Sequence, residues 1–128
     1  MINVLLVEPD DDFCLFLQMS ISGAGCRTQI TGSFAQASAA LHGAIPVDIV
    51  VTAAKLPDGS GLILARDAFQ LGKRIFVLRG NRRSVEIWDR QGMIFRGDRL
   101  AVSNFLKKRI TGVAGGRVVQ ASVETGGR

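Results

Sequence analysis

The sequence predicts an α/β fold, a doubly wound parallel sheet of five strands with helices on both faces. Three observations predict it. Short apolar runs rich in β-branched residues, Val4-Leu5-Leu6-Val7, Ile49-Val50-Val51 and Ile75-Phe76-Val77-Leu78, have the length and composition of strands covered on both sides. Between them lie stretches with apolar residues at helical spacing. The run that begins at Ile49 stops abruptly at Ala53 and is followed by Pro57, Gly59 and Gly61, the punctuation of a tight loop at the carboxyl end of a strand. Strands and helices in alternation imply right-handed crossovers.

The elements follow in order. Asn3 to Val7 is the first strand. Glu8-Pro9-Asp10-Asp11-Asp12 then supplies a loop and an acidic first helical turn, favoured by the positive end of the helix dipole. From Phe13, the residues Phe16, Leu17 and Ile21 mark an amphipathic helix that stops at Gly23 to Gly25. Arg27 to Thr31 is the second strand, Ser33 to Leu41 an Ala-rich helix, and Asp48 to Ala53 the third strand. A helix over about Leu62 to Leu71 ends at Gly72 and leads to the fourth strand, Ile75 to Leu78. After the polar turn Gly80-Asn81-Arg82-Arg83 comes a shortened fourth helix, Val85 to Arg90, then a fifth short strand, Met93-Ile94-Phe95. The last helix, Leu100 to Ile110, carries Val102, Phe105, Leu106 and Ile110 on one stripe. Residues 1 to 110 form the domain, and 111 to 128 read as a Gly-rich tail, either a flexible extension or a short docked strand.

Size and composition set the class. At 128 residues and 47% hydrophobic, the chain can build one sizeable core without disulfides or metal. Cys14 and Cys26 lie in apolar surroundings and read as free buried thiols of a reducing compartment. The first run is too short for a membrane span and has no basic leader, so a soluble, cytoplasmic protein is expected. The net charge of +5 is unevenly spread, with two basic and six acidic groups in residues 1 to 64 against fourteen and five in the remainder. That asymmetry implies either a basic face that attracts an acidic protein surface or nucleic acid, or a solvated arginine-rich surface.

In open α/β sheets, chemistry is placed at the carboxyl ends of the strands. Here the third strand delivers Ala53 to that mouth, and a methyl group can neither attack, ligate metal nor carry charge. Other signals are weak. Gly59-Ser60-Gly61 fits neither the dinucleotide nor the P-loop pattern. His42 has no partner at ligand spacing and reads as a helix-end residue. Ser20, Ser22 and Ser33 lack a nucleophile elbow. Trp88 lies among Arg82, Arg83 and Arg90, either as an interface anchor or as a cover for core left bare by the short fourth helix.

Over residues 2 to 110 the chain resembles the receiver domain of bacterial response regulators, the phosphorylated modules of two-component signal transduction and phosphorelay. Three segments carry the resemblance: Val4-Leu5-Leu6-Val7-Glu8-Pro9-Asp10-Asp11-Asp12-Phe13, the Leu56-Pro57 step with Gly61-Leu62 beyond it, and Phe76-Val77-Leu78 followed by Gly80. The resemblance implies a flavodoxin-like sheet in the order 2-1-3-4-5. It also implies a phosphorylation pocket, which projects onto Glu8, Pro9, Asp10, Ala53, Lys55, Arg79 and Arg96.

That pocket is degenerate. Ala53 stands where the phosphoacceptor aspartate belongs, Pro9 where an acidic residue binds magnesium, Arg79 where a small hydroxyl residue switches, and Arg96 where a lysine contacts the phosphoryl group. Transfer to a carboxylate needs that nucleophile and a hard cation held by oxygen ligands. Thr52 cannot substitute, because successive strand residues face opposite ways. A pseudo-receiver is therefore expected, with no cofactor, no magnesium and no catalysis; either Arg79, with Lys55 and Arg96, neutralises Glu8 and Asp10 and closes the pocket, or Arg79 points to solvent. By the same resemblance, a face of the fourth helix, fifth strand and last helix would meet a protein partner or a second copy in a dimer. That face would hold Trp88, Arg90, Phe95, Arg96, Arg99, Phe105 and Lys107.

Overall fold

The computed structural model describes residues 1–112; the expected tail lies almost wholly outside them. The elements run β1 (Asn3–Val7), α1 (Asp11–Gly23), β2 (Arg27–Thr31), α2 (Phe34–Leu41), β3 (Ile49–Ala53), a hairpin of two-residue strands β4 (Lys55–Leu56) and β5 (Gly59–Ser60), α3 (Gly61–Gln70), β6 (Arg74–Gly80), β7 (Val85–Asp89), β8 (Gly92–Gly97) and α4 (Arg99–Thr111). One sheet takes the order β2-β1-β3-β6-β7-β8.

The α/β class, the doubly wound arrangement and the order of the first four strands are as the sequence implies. Helices α1 and α4 cover one face, with Leu6, Leu17, Val51, Phe76, Ile87 and Leu106 in the core between. Helices α2 and α3 cover the other, over Leu5, Val7, Val50 and Leu64. The continuous apolar runs arise because β1 and β3 are buried on both faces. On α1 the buried stripe is Phe13, Cys14, Leu17 and Ile21, and Phe16 is exposed.

The sheet departs from expectation at its far edge. Val85 to Asp89 is not a shortened helix but a strand, β7, antiparallel to β6 and β8, so the sheet has six strands and one runs against the rest. A parallel crossover needs a dozen or more residues, and β6 already extends to Gly80, leaving too little chain before β8 to cross back. The segment alternates, with Val85 and Ile87 buried on the α1/α4 side and Glu86 and Trp88 on the other. Burying those two apolar side chains contributes about 1.5–3 kcal/mol each.

Tight turns fix the register. The Asn81 side chain accepts from the backbone N–H groups of Arg83 and Ser84 at 2.9 and 3.1 Å, and Asp89 accepts from Gln91 N–H at 2.8 Å. Two reversals bring β8 back parallel to β6, in the position expected for the fifth strand but one place further out.

Candidate functional site

The carboxyl ends of β1, β3 and β6 open into a cavity of about 750 Å³, lined by Glu8, Asp10, Ala53, Lys55, Arg79, Arg82 and Arg99 among others. The cavity gathers several of the residues projected from the resemblance, and its contents differ from the projection in one respect that matters. The cation that reaches its acidic cluster is Arg99, at the start of α4. Its Nη2 donates to Asp10 Oδ2 at 2.8 Å, and its guanidinium lies 4.5 Å from the centre of the Phe13 ring. Arg82 adds a looser pair to the same oxygen at 3.7 Å.

Each partner is held by its own helix end. Asp10 caps α1, accepting from Phe13 N–H at 3.2 Å, and Asp98 caps α4, accepting from Ala101 N–H at 2.8 Å. The caps set where each helix starts and so bring Asp10 and Arg99 face to face. The Arg99 hydrogen bond, then the bond from Phe13 N–H, hold the Asp10 pKa below the usual carboxylate value.

Glu8 behaves oppositely. It is buried, and that desolvation raises its pKa despite a hydrogen bond from Asp10 N–H at 3.0 Å and the nearby Arg99 charge. The sign follows. A carboxyl whose folded pKa is raised stabilises the fold below its unfolded pKa and loses that contribution as pH rises through the folded value. Glu8→Gln keeps an acceptor for Asp10 N–H and removes the buried charge, so it should raise stability at pH 7 by about 1 kcal/mol and leave it nearly unchanged at pH 4. Urea unfolding at the two pH values reads this directly.

The other projected residues separate. Ala53 stands at the mouth, 9% exposed. Pro9 is exposed and offers no side-chain ligand, and Lys55 is exposed on the cavity wall. Arg79 does not enter the acidic cluster, since its guanidinium lies 5.5 Å from the centre of the Trp88 ring. Arg96 donates to Glu86 Oε2 at 3.0 Å on the far side of the sheet, and Glu86 also accepts from Trp88 Nε1 at 2.9 Å. Internal ion pairing of the cluster is present, but through Arg99 and Arg82 rather than Arg79, Lys55 and Arg96. Thr52 is fully buried, its hydroxyl donating to the Ala53 carbonyl at 2.9 Å. Asp58 is committed elsewhere, accepting from Phe34 and Ala35 N–H at 2.6 and 3.0 Å at the start of α2.

The expected interaction residues do not form one surface. Phe95 stacks on Phe105 at 4.4 Å between β8 and α4, Trp88 lies on the opposite face of the sheet, Arg99 belongs to the pocket, and Lys107 is exposed on α4. Cys14 and Cys26 are free and buried.

Magnesium, which a receiver pocket implies, needs about six oxygen ligands in near-octahedral geometry. The donors here do not fit it. Glu8 is a buried carboxyl with a raised pKa, Asp10 is occupied by a guanidinium and a helix cap, and positions 9 and 53 supply no side-chain oxygen. Among the described residues no three His, Cys, Asp or Glu side chains gather as a metal site, and no helix is long and apolar enough to cross a membrane.

No family model and no curated protein matches the chain. Solved structures do. A response regulator receiver domain protein (CheY-like) from Methanospirillum hungatei JF-1 aligns at 15% identity over 100% of this chain and 84% of that one, with a TM-score of 0.59. A two-component response regulator from Clostridium difficile aligns at 11% identity over 100% and 86%, with a TM-score of 0.57. A response regulator receiver domain protein from Clostridium thermocellum aligns at 14% identity over 60% of this chain, with a TM-score of 0.55, and the match spans 64% of that protein. The chain therefore has the fold of the response regulator receiver domains.

Proposed function

We propose that this chain is a pseudo-receiver, a non-catalytic signalling module that accepts no phosphoryl group and acts through contacts with another protein in the cytoplasm. The observation that carries the reading is the pairing of Arg99 with Asp10 at 2.8 Å beneath a mouth where Ala53 supplies no nucleophile. A fixed guanidinium neutralises the carboxylate permanently, so the pocket holds one charge state without a metal or a phosphoryl group to complete it. A module in that condition is biased by whatever binds one of its conformations more tightly.

A second reading, nucleic acid or another polyanion bound through the basic half, rests on the twelve basic residues between Arg66 and Arg109. It is supported less well, because Arg96, Arg99 and Arg109 already pair with Glu86, Asp10 and Asp89.

Treatment of the purified chain with acetyl phosphate and magnesium should leave its intact mass unchanged. A species heavier by one phosphoryl group, dependent on magnesium, would sink the non-phosphorylatable reading.

A further inference from the structure

A doubly wound sheet normally buries both faces under helices. Here the strand β7 takes the place of the helix that would lie beside α3, and among the described residues only α4 packs closely on β7 and β8, from the opposite side. The α3 side of the hairpin is thus left as a trough. A cavity of about 260 Å³ lies in it, and a second of about 400 Å³ adjoins it at the end of the sheet, sharing Phe69, Ile75, Asp89 and Arg90 and reaching Phe76 and Arg109 on the α4 side. Its floor is apolar, with Val77, Ile75 and Trp88, and Phe69 and Leu62 stand on the α3 bank, 43% and 51% exposed.

The rim has one dominant sign. Arg66, Lys73, Arg74, Arg79, Arg90 and Arg109 line the two cavities against Asp89 alone; Asp89 pairs with Arg109 at 3.8 Å and Arg66 meets Asp67 at 3.3 Å, which leaves positive charge in excess on the rim. The guanidinium groups of Arg79 and Arg90 lie over the Trp88 and Phe69 rings at 5.5 and 5.2 Å from their centres, which holds their charge at the trough edge. Burial, and then the Arg109 charge, lower the Arg74 pKa, with Asp89 opposing them.

We propose that this trough is a docking site for one amphipathic helix of another protein, with an apolar stripe set into the floor and acidic residues on both flanks. The shape argument is that a helix is what this layer of the fold lacks. The charge argument selects its flanks, and it disfavours a second copy of the chain, since six cations would then meet six. The proposal rests on the protein-contact reading above and names the surface and the partner's chemistry.

The chain contains one tryptophan, and it stands in the trough, so its emission reports occupancy. The test titrates the full chain with a synthetic helical peptide of about 18 residues, roughly five turns, carrying Leu at helical spacing and Glu on the flanks. A second peptide carries the same stripe with Lys flanks. The Glu peptide should give a saturable blue shift of Trp88 emission, and the double variant Arg66→Glu/Arg90→Glu should weaken it about tenfold or more. Both positions are exposed, so the fold should survive, and circular dichroism checks that it does.

Equal binding of both peptides, no change in Trp88 emission at saturation, or a dimer that excludes the peptide would each overturn the proposal. So would DNA that displaces the Glu peptide with a steep salt dependence. Crosslinking of a partner onto α4 with Trp88 untouched would overturn the trough while leaving the protein-contact reading intact. Phosphorylation of the chain would overturn that reading and leave the peptide titration standing.

Discussion

Gly80→Ala should cost the domain about 3 kcal/mol or more, a large loss for a single methyl group. Gly80 has φ +132°, where an L side chain is strained, and an added Cβ would fall 2.1 Å from the Ser84 carbonyl oxygen. That oxygen also accepts from Asn81 N–H at 3.0 Å in the turn that launches β7. It belongs to backbone, so relief requires the β6–β7 turn itself to move, and with it the pairing of Gly80 to Val85.

Gly92 is a built-in control. It has φ +133° at the other hairpin turn, but nothing lies within 4 Å of its Cβ position. Gly92→Ala therefore meets strain alone, about 1 kcal/mol, and the excess for Gly80→Ala measures the close approach. Urea unfolding followed by Trp88 emission compares the two. Equal losses would mean that the β6–β7 turn yields freely, contrary to a hairpin locked into the sheet.

The same hairpin shows where reading the sequence fell short. Val85-Glu86-Ile87-Trp88-Asp89 alternates apolar and polar with a period of two, and its β-branched and aromatic residues favour a strand. The expectation of strands and helices in strict alternation prevailed over that local signal. β1, β3 and β6 were legible because strands buried on both faces leave runs with no polar interruption. α1 was legible through Asp10-Asp11-Asp12 at its start, although its stripe passes through Phe13 and Cys14 rather than Phe16.

Within the site, Ala53 and Pro9 were legible because chemistry can be judged absent from residue type alone. The identity of the cation was not. Phe95 packs inward against Phe105, so Arg96, the next strand residue, must point to the other face and away from Asp10. Arg99 reaches Asp10 only because Asp98 caps α4 beside the mouth. That placement depends on how the two helices meet across the sheet, which local patterns do not encode.

Ala53→Asp should restore a carboxylate without restoring a phosphoacceptor. The new group would share the mouth with Glu8, whose pKa burial already raises, and a further carboxylate would raise it more. Burying that charge should cost about 1–3 kcal/mol of stability. Magnesium would still face Asp10 held by Arg99 and a proline at position 9, short of the oxygen ligands that neutralise a phosphoryl group in transfer.

The most direct measurement is intact-mass analysis of folded Ala53→Asp after incubation with acetyl phosphate, with and without magnesium. The account predicts the unmodified mass in both. A magnesium-dependent species heavier by one phosphoryl group, mapped to position 53, would show that a single missing side chain was the only defect and that Pro9 and the Arg99–Asp10 pair had closed nothing.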